Sequence, residues 1–136
     1  MPKTNTAPFP QNPRAGSAVC TLASTLSTAP TNVVPIGTIG TDDGVLTRLE
    51  AIPLGTTTAM NLILFAEFPG KAEKYPIAVK HAPATSVSAT AATWVGFRFD
   101  MSELNTRRLP KGTNLYVGTT AALAAGMVFT AEWSDY

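Results

Sequence analysis

Hydrophobic and polar positions alternate in short runs along this chain. In residues 127–136, Met127, Phe129, Ala131 and Trp133 fall on one side and Thr130, Glu132 and Ser134 on the other. That is the period of two expected of a half-buried strand. Residues 60–68 are the most apolar run: Met60, Leu62, Leu64, Ala66 and Phe68 share one face, and Ile63 and Phe65 lie on the other. This pattern predicts a central strand covered on both sides. Residues 115–118 follow the turn signal Leu109-Pro110-Lys111-Gly112, and with the last run they read as a β-hairpin.

Five further strands are predicted. They fall at residues 17–23, 33–36, 45–52, 75–79 and 94–99. Pro35 demotes the second of these to an edge strand or a bulge, and Pro76 with its neighbouring lysines marks the fourth as an edge. Between them lie turn-rich segments, including the Asp43-Gly44 pair. Asp100 or Ser102 is a candidate cap for a single helical turn, and residues 121–125 have helical propensity but are too few to hold a helix alone. About eight short strands, with no long helix, predict an all-β, single-domain antiparallel sandwich of jelly-roll or Greek-key type over residues 17–136. Residues 1–16 carry Pro2, Pro8, Pro10 and Pro13 and are expected to run extended, as an arm along a neighbouring subunit or as a tail. Phe9 and Pro10 would anchor such an arm.

Composition sharpens this picture. Only 14% of the 136 residues are charged, against about a quarter in ordinary soluble chains, so little charge is available to cover the surface. Either Thr and Ser hydroxyls coat it, or part of it meets other protein. The net charge is +1 with basic and acidic residues interleaved, which gives no stripe to neutralise a phosphate backbone, and direct nucleic-acid binding is not expected. No apolar run approaches the length of a membrane helix and the first residues lack a signal-peptide core, so no membrane association and a cytoplasmic site of synthesis are expected.

The residue chemistry points away from catalysis. His81 is the only histidine, and its polar surroundings predict an exposed imidazole with no nucleophile to serve. Cys20 alternates with Ala18 and Leu22 and reads as a small buried hydrophobe. One His and one Cys do not make a zinc site, and no cofactor or metal is expected. Asp42 and Asp43 lack a third carboxylate at calcium-ligand spacing. Glu67 and Glu132 are the one pair to consider for glycoside hydrolysis, and solvated strand glutamates are the simpler reading. Trp94, Tyr116 and Trp133 are candidates for a sugar-stacking face, although the alternation around Trp133 places it in the core. No enzyme is predicted.

The layout also carries a resemblance. The proline-rich start, Thr47-Arg48-Leu49-Glu50-Ala51-Ile52-Pro53 after a turn, the Leu62-Ile63-Leu64-Phe65 strand, Leu115-Tyr116-Val117-Gly118 and the close from Gly126 to Tyr136 resemble small virion proteins of tailed phages and prophages, in particular capsid decoration or cement proteins. The resemblance implies a β-sandwich on the capsid exterior, assembled in the host cytoplasm. It implies a homotrimer that staples neighbouring copies of the major capsid protein. The expected partner contacts are Phe9, Pro10 and Arg14 in the arm region, and Trp94, Arg107 and Arg108. A tail or baseplate accessory protein and a carbohydrate-binding sandwich are the alternatives.

Overall fold

The computed structural model describes residues 12–40, 42–86, 96–100 and 107–136. Nine strands make up the described chain: β1 (Asn12–Cys20), β2 (Val34–Thr38), β3 (Gly44–Pro53), β4 (Met60–Glu67), β5 (Tyr75–Ala82), β6 (Phe97–Arg98), β7 (Arg107–Leu109), β8 (Asn114–Thr119) and β9 (Met127–Asp135). No helix is present among the described residues.

The strands form two antiparallel sheets. One has the order β1-β9-β3-β6, with β7 also on the β3 edge, and the other has the order β2-β8-β4-β5. Pairing is nested: β1 with β9, β2 with β8, β3 with β6 and β4 with β5. A long hairpin folded over on itself gives this order, and it is the jelly roll. The all-β sandwich expected from the sequence is therefore what the chain forms, with β7 as an extra strand where the sequence suggested only a turn.

Alternation decides what is buried. In β9, Met127, Phe129, Ala131, Trp133 and Asp135 point inward, and in β3 Leu46, Leu49 and Ala51 do the same. A register shift between Leu46 and Arg48 keeps Leu46 and Leu49 both inside. The facing sheet supplies Leu62, Leu64, Leu115 and Val117. β4 is covered on its outer face too, as the sequence predicted, since Ile63 and Phe65 are also fully buried. Part of the cover is the β1–β2 connection: Ser24 N–H donates to the Thr119 carbonyl at 2.6 Å, and Lys74 N–H to that of Thr28 at 3.0 Å. Gly118 makes room for this strap, because a Cβ there would lie 2.6 Å from Ser24 Oγ and 3.5 Å from the Phe65 ring.

Three expectations change. Residues 12–16, assigned by sequence to the arm, pair with β9 in register from Asn12 opposite Asp135 to Gly16 opposite Ala131. Pro13 is tolerated because β1 is an edge strand and has a neighbour on one side only. Secondly, β8 and β9 are not a hairpin. They lie in different sheets, and residues 120–126 cross from one sheet to the other with Gly126 at φ +99°. Thirdly, of the strand expected at residues 94–99, Trp94 and Val95 lie outside the described residues, and the described part pairs only over Phe97–Arg98. The edge assignments of β2, with its irregularity between Pro35 and Gly37, and of β5 agree with the sequence reading.

Candidate functional site

Antiparallel pairing sorts the connections to two ends of the sandwich. At one end lie the β2–β3 and β4–β5 connections, the β7–β8 turn, and the first residue of β1 opposite the last of β9. Of the residues expected to meet a partner, Arg14 and Arg108 both lie at this end, on strands β1 and β7 with β9 and β3 between them. Phe9, Pro10 and Trp94 lie outside the described residues, and Arg107 opens β7 opposite Leu46.

The geometry here is tied to the last two residues. Arg14 Nε lies 3.1 Å from Oδ2 of Asp135, whose side chain is buried. Gly40 N–H donates to Asp135 Oδ1 at 3.1 Å. Glycine is required at position 40, because a Cβ would fall 2.4 Å from that carboxylate. Arg108 donates to the Tyr136 hydroxyl and stacks its guanidinium 5.2 Å from the same ring. Asp43, at φ +65°, accepts from Lys111 N–H at 2.8 Å through Oδ1, and its carbonyl accepts from Tyr136 N–H at 3.2 Å. Beside these groups is a shallow open depression of about 440 Å³ lined by Ile39, Gly40, Lys111 and Gly112. Both arginines thus hold internal partners while remaining exposed to solvent.

The other candidate chemistry does not converge. Glu132 points outward from β9 and Glu67 outward from β4, on opposite faces of the sandwich, so they share no cleft. Glu67 is held by Lys74 Nζ at 3.2 Å and by Asn114 Nδ2 at 3.0 Å, and Asn114 also accepts from the Thr38 hydroxyl. These hydrogen bonds, that from Asn114 foremost, hold the Glu67 carboxyl below its usual value. On the opposite sheet Glu50 Oε1 accepts from both Arg48 and Arg98, and the contact with Arg48 is the leading cause of its lowered pKa. His81 is exposed, with Nδ1 3.3 Å from Asn61 Oδ1. Lys74 lies over the Tyr116 ring, 4.8 Å from its centroid, and takes one of the faces a sugar would stack on. Trp133 is in the core, where its Nε1 has no hydrogen-bond partner among the described residues. Cys20 is buried, its Sγ 3.6 Å from the Val117 carbonyl, and desolvation pushes its pKa up to about 11.

The opposite end was not anticipated from sequence. The β3–β4 and β8–β9 connections lie there, the β1–β2 connection leaves from there before it straps across β4, and residues 83–86 open the β5–β6 connection from the same side. The sequence carries no charged residue in 15–41, 51–66, 82–97 or 112–131, and these stretches contain all four connections. Val19, Leu22, Ile52 and Leu54, four of the six exposed large hydrophobic residues among those described, belong to this end. The signal was present in the sequence as four charge-free blocks, but only the topology brings their described parts together.

No family model matches this chain, and no curated protein matches it. Among solved structures it is similar to that of Eiger TNF from S. frugiperda, with 11% sequence identity and a TM-score of 0.47, over 94% of this chain and 96% of that one.

Proposed function

We propose that this chain is a structural virion protein, a cement or decoration subunit that sits on the outside of a phage head and staples neighbouring copies of the major capsid protein. A staple needs a stiff body and two separate places of attachment. The observation that carries this reading is the division of the jelly roll into two chemically unlike ends. Exposed arginines and the root of the proline-rich segment lie at one end, and a partly apolar surface built from charge-free connections, with Lys80 at its β5 border, lies at the other. β1 alone, with nine residues at about 3.3 Å each, separates them by roughly 25–30 Å.

In this reading residues 1–11, which precede the first paired residue, reach a neighbouring subunit through Phe9 and Pro10, and Arg14 and Arg108 border the contact. Trimerisation and repetition over a closed lattice then turn weak single contacts into a large total by raising the effective concentration of each further one. The test is the heat at which head shells rupture with and without the added chain. Added full-length protein raises the rupture temperature, and protein lacking residues 2–11 raises it far less. Shells that rupture at the same temperature with and without the full-length chain contradict the proposal.

A further inference from the structure

We propose that the β1–β2 connection is a hinged strap, which opens as one unit off the outer face of β4 while both sheets stay folded, and that Lys74 is the latch that holds it shut. The proposal stands apart from the cement reading and does not need it.

What the strap covers is apolar, and the strap itself inserts little. Ile63 and Phe65 point outward from β4 and are fully buried. Ile63 stands in register with Gly118 of β8 on one side and Val79 of β5 on the other, and Phe65 stands beside Tyr116. Residues 21–33 cross this row, and Ser24 is the one residue among them that is buried. Leu22 and Leu26 are turned to solvent, 57% and 52% exposed. The strap thus hides two large side chains without inserting one of its own. A segment with so few buried apolar contacts opens at a lower free energy than the sheets it lies on.

Its attachments to the sheet fall at two places. Ser24 N–H donates to the Thr119 carbonyl at 2.6 Å, and Ala23 bridges the same residue. Across the sheet, Lys74 N–H donates to the Thr28 carbonyl at 3.0 Å. The strap is also braced on itself. Asn32, at φ +56°, donates from Nδ2 to the Ala23 carbonyl at 3.0 Å, and Ser24 Oγ donates to the Asn32 carbonyl at 3.2 Å. Such bracing makes the segment move as a piece. On the β1 side the Thr21 carbonyl is held by Leu123 N–H at 3.1 Å and marks the hinge. The strands at either end are paired independently of the strap, Cys20 opposite Met127 and Val34 opposite Val117, so opening leaves both ladders in place.

Lys74 suits a latch because its side chain is fixed as well as its amide. Nζ lies 3.2 Å from Glu67 Oε2 and 4.8 Å from the centre of the Tyr116 ring. Glu67 is held in turn by Asn114 Nδ2 at 3.0 Å. The far attachment of the strap is thereby tied to β4 and β8, the strands it covers. Opening uncovers Ile63 and Phe65 next to Val79, which is already 50% exposed, and so joins them into one apolar strip.

Residue-resolved hydrogen exchange of the full-length chain near neutral pH, at several urea concentrations below the unfolding transition, tests this. The Ser24 and Lys74 amides are expected to exchange together, about tenfold or more faster than those of Phe129 and Ala131 in β9, and with a weaker dependence on urea. Glu67→Gln removes the charge that holds Lys74, and should speed exchange at Ser24 and Lys74 by a larger factor than at Phe129 and Ala131. Gly118→Ala puts a Cβ 2.6 Å from Ser24 Oγ, and should lift the strap and raise binding of an apolar fluorescent dye while β9 keeps its protection. Exchange at Ser24 and Lys74 that matches β9 in rate and urea dependence overturns the proposal, because the strap then opens only with the whole fold. Unequal rates at Ser24 and Lys74 contradict opening as one unit, and an equal effect of Glu67→Gln on strap and β9 contradicts the latch.

Discussion

Arg14 Nε and Asp135 Oδ2 stand 3.1 Å apart, joining the start of the first described strand to the end of the last one. The two side chains are unequal: that of Asp135 is 5% exposed and that of Arg14 is 59% exposed. A buried carboxylate depends on its partners, and those seen here are the guanidinium and Gly40 N–H.

Removing the arginine leaves that carboxylate with the single amide. Arg14→Ala is therefore expected to cost about 1–2 kcal/mol, below the range for a wholly buried pair because Arg14 is largely in water. Asp135→Asn should cost a similar amount. The double variant should cost little more than either alone, a coupling of about 1 kcal/mol in a urea-denaturation cycle. Additive losses would show that the two groups act independently.

Trp133 and Gly37 are matched in shape. A Cβ at position 37 would lie 2.3 Å from Trp133 Cη2. Gly37→Ala should destabilise the fold by about 1–3 kcal/mol through overpacking. Trp133→Phe shortens the ring and removes the unpartnered indole N–H, so in that background Gly37→Ala should cost measurably less. Thermal melts of the two single variants and the double variant read this out.

The ends and the body were legible in the sequence to different degrees. Strand positions follow from alternation, which is local, and residues 60–68 and 127–136 emerged almost as drawn. Which strand lies beside which is not local. Leu115-Tyr116-Val117-Gly118 and the last run look like a hairpin because they are close in sequence and both alternate, yet each finds its partners far away, Val117 with Val34 and Leu64, and Trp133 with Arg14 and Leu46. Pro13 marked a segment as arm because proline lacks an N–H, and the sequence did not show that this strand would stand at an edge. For the same reason the partly apolar end was invisible. Each block free of charge is unexceptional by itself, and the jelly-roll order is what brings their described parts to one end.

Acid should weaken the fold through two surface carboxylates. Glu50 and Glu67 both titrate below the ordinary value of 4.5 in the folded chain, because hydrogen bonds from Arg48, and from Asn114 and Lys74, favour their ionised forms. A depressed pKa means stabilisation that is fully present above the unfolded value and is lost as pH falls through the folded one. Urea midpoints between pH 7 and pH 3 should fall at the acid end. Glu67→Gln and Glu50→Gln should each flatten that decline, and added salt should shrink the difference, since both groups are in contact with solvent.

Cys20 should be silent in the native protein. Its thiol is buried, its pKa is raised to about 11, and its Sγ faces the Val117 carbonyl. A thiol-reactive dye should label it only as fast as the sandwich opens, and should label it at once in denaturant. Rapid labelling under native conditions would mean that the β1 end of the core is open.

Counting the copies of this chain that bind a purified head shell tests the central claim most directly. Titrated onto shells that lack it, the full-length protein is expected to saturate at a fixed, simple ratio to the major capsid protein. Binding that never saturates, or no binding at all, would contradict the account.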